Sequence, residues 1–245
     1  GLDATMTPFC GALGRAGRLG WGRPGNQFRM ISLAVLAFVL SMVLSLAARR
    51  LLRWRSARYP QDAPQRFHVG DVPRVGGIGL LAGAALALAG LPLLQAADLA
   101  GNIDTDRLQL WRWALMLLPA FAGGVLEDLS QRLAVRWRLL LTLSSGLLAW
   151  GLMDVAVPRL DFAWLDAWWV AWPGLGVALA VLAVTGLPHA FNIIDGYNGL
   201  AGVVAVVVCA ALAHVALQVG DRELAALAVA LAAATGGFLV WNYPR

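Results

Sequence analysis

The sequence predicts an all-α fold, a polytopic membrane bundle of about seven transmembrane helices, and three observations carry that prediction. Hydrophobic residues make up 60% of the 245 positions and 27 glycines come on top, against roughly 45–50% for a similar sum in soluble domains. Charged residues are only 13%, which excludes intrinsic disorder, because a disordered chain needs low hydrophobicity and high net charge. The apolar residues also gather into runs near the length of about 20 residues that a helix needs to cross a bilayer.

In chain order the runs are Ile31–Ala48, Val75–Ala97, Leu110–Leu126, Trp137–Met153, Trp168–Phe191, Gly199–Val219 and Leu224–Trp241. The third and fourth are short and carry Arg112 and Arg138 near their ends, where a long side chain can snorkel to the interface. The fifth contains Pro173 and Pro188. Each removes a helix donor, so a start near Pro173 and a break or end near Pro188 are expected. The stretch before the first run is rich in Gly and Arg and opens on Gly, whereas Met30 stands directly before the run. Residues 1–29 therefore read as a non-native or disordered extension, and 30–245 as a single transmembrane domain.

The net charge of +5 comes from arginine alone on the basic side, and position decides what it means. Arg49, Arg50, Arg53, Arg55, Arg58, Arg66 and Arg74 all follow the first run, as the positive-inside rule requires, so nucleic acid is not the partner and the lipid bilayer is. Arg132, Arg136 and Arg138 make the loop after the third run basic too. The alternate loops hold Asp98, Asp104 and Asp106, then Asp154, Asp161 and Asp166, then Asp221 and Glu223. The loops after runs one, three, five and seven thus face the cytoplasm, with Trp164, Trp168, Trp169 and Trp172 as an aromatic belt on the outer side. Cys10 and Cys209 offer neither a disulfide framework nor a Cys-rich metal site.

Three polar clusters fall on the cytoplasmic side. Arg66, His68 and Arg74 precede Gly76-Gly77 and could bind phosphate oxygens, or serve simply as positive-inside anchors. Glu127 and Asp128 close the third run. Adjacent carboxylates repel each other at a helix mouth, a cost relieved by a divalent cation or by an ordinary ion pair with Arg132 or Arg136. A hard cation such as Mg²⁺ takes oxygen ligands, and Asp195 from another cytoplasmic loop offers a further carboxylate. Asn192 and Asn198 flank Asp195 beside Gly196 and Gly199, the composition of a tight polar loop whose amides can donate to phosphate, sugar or base. A plain Gly/Asn turn is the alternative, though it leaves the carboxylate unexplained. His214, alone in the sixth run, reads as a packing or hydrogen-bonded histidine.

Together the clusters resemble the polyprenyl-phosphate N-acetylhexosamine-1-phosphate transferases, the WecA/MraY-like family. Arg66, His68, Pro73 and Gly76-Gly77 look like its first cytoplasmic loop, and Gly124-Val125-Leu126-Glu127-Asp128 resembles its acidic pair. Asn192-Ile193-Ile194-Asp195-Gly196-Tyr197-Asn198-Gly199-Leu200-Ala201 is close to its most specific motif. The resemblance implies that a UDP-N-acetylhexosamine gives its sugar-1-phosphate to undecaprenyl phosphate with release of UMP, initiating a cell-envelope glycan such as O-antigen. It implies Glu127, Asp128 and Asp195 as catalytic groups, Asp128 and Asp195 as ligands to Mg²⁺ or Mn²⁺, and Asn192, Asn198, Arg66, His68 and Arg74 as substrate contacts. It also implies a site on the cytoplasmic face of a bacterial inner membrane, and it leaves room for a homodimer.

Two departures stand out. Glu127 occupies a position where the family usually has aspartate, which shifts one carboxylate by roughly a bond length in a geometrically demanding site. The family's further acidic motif and later basic loop are expected beyond Arg245, so the sequence reads as truncated, and an inactive fragment is one competing expectation. A transporter subunit is another, because small residues and Pro-interrupted spans suit a carrier equally. Sidedness separates them: Asp71, Glu127, Asp128 and Asp195 sit at one interface, whereas a carrier places ionisable groups near mid-membrane.

Overall fold

A computed structural model describes residues 25–52, 76–99, 103, 109–130, 132–194 and 199–242. Nine helices carry these residues: α1 (Gly25–Leu51), α2 (Gly76–Ala89), α3 (Leu91–Ala96), α4 (Leu110–Ser130), α5 (Val135–Met153), α6 (Ala163–Ala171), α7 (Gly174–Ile194), α8 (Leu200–Val219) and α9 (Arg222–Asn242). No strand occurs among the described residues. The chain is an all-α membrane bundle.

Five helical stretches are long and apolar enough to cross a membrane: Met30–Leu51, α4, α7, α8 and α9, with α2 as a shorter apolar helix. The expected seven differ from these in two places. The run Val75–Ala97 is divided at Gly90, beyond which Pro92 sits in the first turn of α3, where its missing N–H costs nothing. The fourth run begins as α5 at Val135, and Arg136 and Arg138 in its first turn dilute the hydropathy of an otherwise spanning helix. The fifth run splits as its prolines suggest at one site only. Pro173 separates α6 from α7, but Pro188 lies inside α7, which continues to Ile194. Pro119 likewise lies inside α4, and the neighbouring Ala120 N–H donates to Ser145 Oγ of α5 at 3.0 Å, the kind of lateral partner that makes an interior proline tolerable.

The helices pack in two groups. In the first, α1, α2 and α9 pack on one another and α8 packs on α9; in the second, α4 and α7 flank α5, and contacts between the groups are slight. Small residues let the first group approach closely. A methyl group on Gly79 would stand 2.5 Å from Ser45 N, and one on Gly83 2.5 Å from Ser41 Cα, so the Gly79/Gly83 ridge of α2 lies backbone to backbone on the Ser41/Ser45 ridge of α1. Ser41 Oγ donates to the Ala234 carbonyl of α9 at 2.6 Å, and Trp241 Nε1 donates to the Met42 carbonyl at 2.9 Å. Leu33, Ala37, Ala84, Ala87, Ala226, Ala230 and Ala234 fill the buried interior between them. Large apolar side chains such as Val35, Leu118, Leu182, Val207 and Val215 point outward, as lipid-facing surface does.

The second group is antiparallel throughout: Gly123 of α4 meets Leu141 of α5, and Gly146 of α5 meets Val181 and Thr185 of α7. At its far end Arg112 donates to the Leu152 carbonyl at 3.0 Å with its guanidinium over the Trp111 ring, satisfying an orphan carbonyl at the α5 C-terminus. There too α6 is pinned, Trp169 Nε1 donating to the Val157 carbonyl at 2.9 Å and Asp166 accepting from Leu160 N at 2.8 Å. Trp164, Trp168 and Trp172 remain outward and exposed, consistent with the expected aromatic belt. The alternation brings the end of α4, the start of α5 and the end of α7 to one end of the bundle, with the start of α8 only six positions beyond Ile194.

Candidate active site

The α4–α5 turn is built around Glu127. The third run was expected to stop near Leu126 with Glu127 and Asp128 closing it; α4 extends through Ser130, so both stand on its last turn. Both are half-buried. Glu127 Oε2 accepts the Leu133 backbone N–H at 3.1 Å, and Oε1 lies 3.8 Å from Arg138 Nη1. A carboxylate thus receives an amide that precedes the first turn of α5, where an anion is favoured by the helix dipole. The ion pair expected with Arg132 or Arg136 is instead made by Arg138. On a helix beginning at Val135 the two arginines of the first turn lie about 200° apart, so when Arg138 faces α4, Arg136 faces away, and it is exposed, as is Arg132. Arg138 Nε is buried and has no hydrogen-bond partner among the described residues.

The third cluster is helical as far as Ile194, so Asn192 stands on a helix where a loop was expected. Asn192 occupies the last turn of α7 and is exposed, its amide open at the same end of the bundle as Glu127. Asp195 and Asn198 lie outside the described residues, as do Arg66, His68 and Arg74. Gly199 resumes the chain with φ 83°, a left-handed conformation that only glycine adopts without strain, and it caps the start of α8. Among the described residues no three His, Cys, Asp or Glu side chains form a metal-holding group. Both Glu127 oxygens are engaged by protein groups.

Sequence reasoning gave no role to His189 or Thr142. His189 Nε2 lies 3.1 Å from Thr142 Oγ1, linking α7 to α5 one helical turn beyond Arg138. The only signal in the sequence was a histidine inside an apolar run three residues before Asn192, and its partner is 47 positions away. His214, by contrast, meets Gln218 Nε2 at 3.3 Å on the exposed face of α8; it is hydrogen-bonded but not packed in a core. Cys209 is a free, buried thiol.

The fold and this end-on cluster define a class: a multi-pass membrane protein whose acid, amide and guanidinium groups stand at one end of the helix bundle rather than at its middle. The family is more specific. The profile of glycosyl transferase family 4 matches residues 110–245, more than half of the chain, and the chain belongs to that family. Curated relatives agree. A Bacillus subtilis (strain 168) protein named "Probable undecaprenyl-phosphate N-acetylglucosaminyl 1-phosphate transferase" is 29% identical over 224 residues, 88% of this chain and 57% of that protein. A phospho-N-acetylmuramoyl-pentapeptide-transferase of Synechococcus sp. (strain JA-3-3Ab) is 31% identical over 211 residues, 80% of this chain and 56% of that protein. One of the same name from Moorella thermoacetica is 29% identical over 226 residues, 87% of this chain and 66% of that protein. The chain thus spans little more than half the length of the first two. No solved structure matches it.

Proposed function

We propose that the protein transfers N-acetylhexosamine-1-phosphate from a UDP-sugar to undecaprenyl phosphate at the cytoplasmic face of a bacterial inner membrane, in the initiation of a cell-envelope glycan. An oxygen of the lipid phosphate attacks the phosphorus that carries the sugar; a new P–O bond forms, the pyrophosphate bond breaks, and UMP leaves with the electron pair. The observation that supports this reading best is the Glu127-Asp128 pair on the last turn of α4, at the same end as the Asn192 turn of α7, in a chain of this family. The names of the relatives supply the substrate class.

The chemistry needs such an end. The lipid nucleophile is held at the bilayer surface and the sugar donor is soluble, so the two can meet only where helices emerge. Both are anions; Asp128 and Asp195 would hold Mg²⁺, which when bound would supply positive charge to offset their repulsion. Arg66, His68 and Arg74 add further donors to phosphate oxygens. Asn192 and Asn198 offer amides that can orient sugar or base. Glu127, held by the Leu133 amide and Arg138, orients the turn. Purified whole protein, supplied with undecaprenyl phosphate, UDP-N-acetylglucosamine and Mg²⁺, is expected to release UMP. No UMP from any UDP-N-acetylhexosamine, with the protein folded, would overturn the reading.

A further inference from the structure

Three short distances meet at Thr142. Its Oγ1 lies 3.0 Å from the Arg138 carbonyl oxygen, 3.1 Å from that of Leu139 and 3.1 Å from His189 Nε2. A hydroxyl has one hydrogen and a carbonyl can only accept. Were that hydrogen given to His189, the Thr142 oxygen would face two carbonyl oxygens with nothing between them. The hydrogen therefore belongs to the α5 backbone, and Nε2 of His189 carries its own hydrogen and donates to Thr142. Thr142 is buried, so water does not compete for the acceptor.

The last turn of α7 depends on such an anchor. Pro188 has no N–H to give to the carbonyl one turn earlier, which loosens the helix at that point. Along residues 186–194 only His189 and Phe191 are even half-buried; Ile193 is 82% exposed. Little packing therefore fixes the turn that carries Asn192. From Thr142 the connection continues one turn along α5 to Arg138, and from there to Glu127 of α4.

We propose that His189 is a positioning residue: donating from Nε2 to Thr142, it ties the end of α7 to α5 and sets where the Asn192 turn stands relative to Glu127. The catalytic consequence rests on the transferase reading above; the tether itself does not. In the whole protein, His189→Leu is expected to lower kcat for UMP release about tenfold or more with little change in KM, since a misplacement of about 1 Å can cost about 10²-fold. His189→Gln keeps a donor and restores most of the rate. Thr142→Val matches His189→Leu, Thr142→Ser does not, and the double variant His189→Leu with Thr142→Val is no slower than either alone, because both remove one bond.

Two further measurements read the tether without activity. The ¹⁵N spectrum of the labelled histidine is expected to show hydrogen on Nε2, and amide hydrogen exchange at Ala190–Ile194 is expected to speed up in His189→Leu and Thr142→Val while the rest of α7 stays protected. A bare Nε2, unchanged exchange, or losses that multiply in the double variant would each overturn the tether. Absence of UMP release from unmutated protein whose exchange pattern responds as expected would instead overturn the transferase reading and leave the tether standing.

Discussion

Adding one methyl group to Gly83 tests the close approach that holds the first helix group together. An ideal Cβ there would stand 2.5 Å from both Ser41 Cα and Ser41 N, where ordinary contact begins at 3.4 Å, a shortfall of 0.9 Å. Both atoms are backbone, so no side chain can swing aside. The helix they belong to is also pinned from its other side by the 2.6 Å bond from Ser41 Oγ to the Ala234 carbonyl. Overpacking of this kind costs about 1–3 kcal/mol, and the better helix propensity of alanine returns about 0.5–1 kcal/mol. Gly83→Ala is therefore expected to lose about 1–2 kcal/mol, a fall of about 2–8 °C in the thermal midpoint in detergent. Gly77 is the control. It lies in the same helix, and among the described residues nothing stands within 4 Å of an added Cβ, so Gly77→Ala is expected to gain the propensity term and hold or raise the midpoint. Equal midpoints for the two variants would refute the claim that α1 and α2 touch through their backbones.

Asp195→Asn keeps the shape of the side chain and removes its charge; UMP release is expected to fall at least about 10²-fold, and near-normal turnover would leave the motif a purely structural role. Ser145→Ala withdraws the acceptor that meets the Ala120 N–H beside Pro119 at 3.0 Å and is expected to destabilise the fold by about 1–3 kcal/mol. Adding Pro119→Ala, which restores the missing helix donor, should recover part of that loss in the same melts. Reporter fusions at Ser56 and Tyr197 are expected to report the same side of the membrane, and opposite sides would dismantle the single-faced site.

Composition and periodic runs of apolar residues were enough to determine an all-α membrane bundle, because every backbone group inside a bilayer must be satisfied within its own helix. The arginine bias determined which ends belong together. Glu127, Asp128 and Asn192 were visible as candidates for a related reason: carboxylates and amides are costly beside hydrocarbon and stand out against it. Helix boundaries at the site were less legible. Leu126 and Pro188 look like stops, yet both helices run on, since one turn of polar residues can emerge into the interface and neighbouring helices tolerate an interior proline. Partner choice was not legible at all. Whether Glu127 meets Arg132, Arg136 or Arg138 depends on the angle at which α5 starts, and whether His189 meets Thr142 depends on how α7 lies against α5 across 47 positions of chain. Composition and spacing determine which groups reach the membrane end of a helix; only the packing of one helix against another decides which way each side chain turns and what it touches.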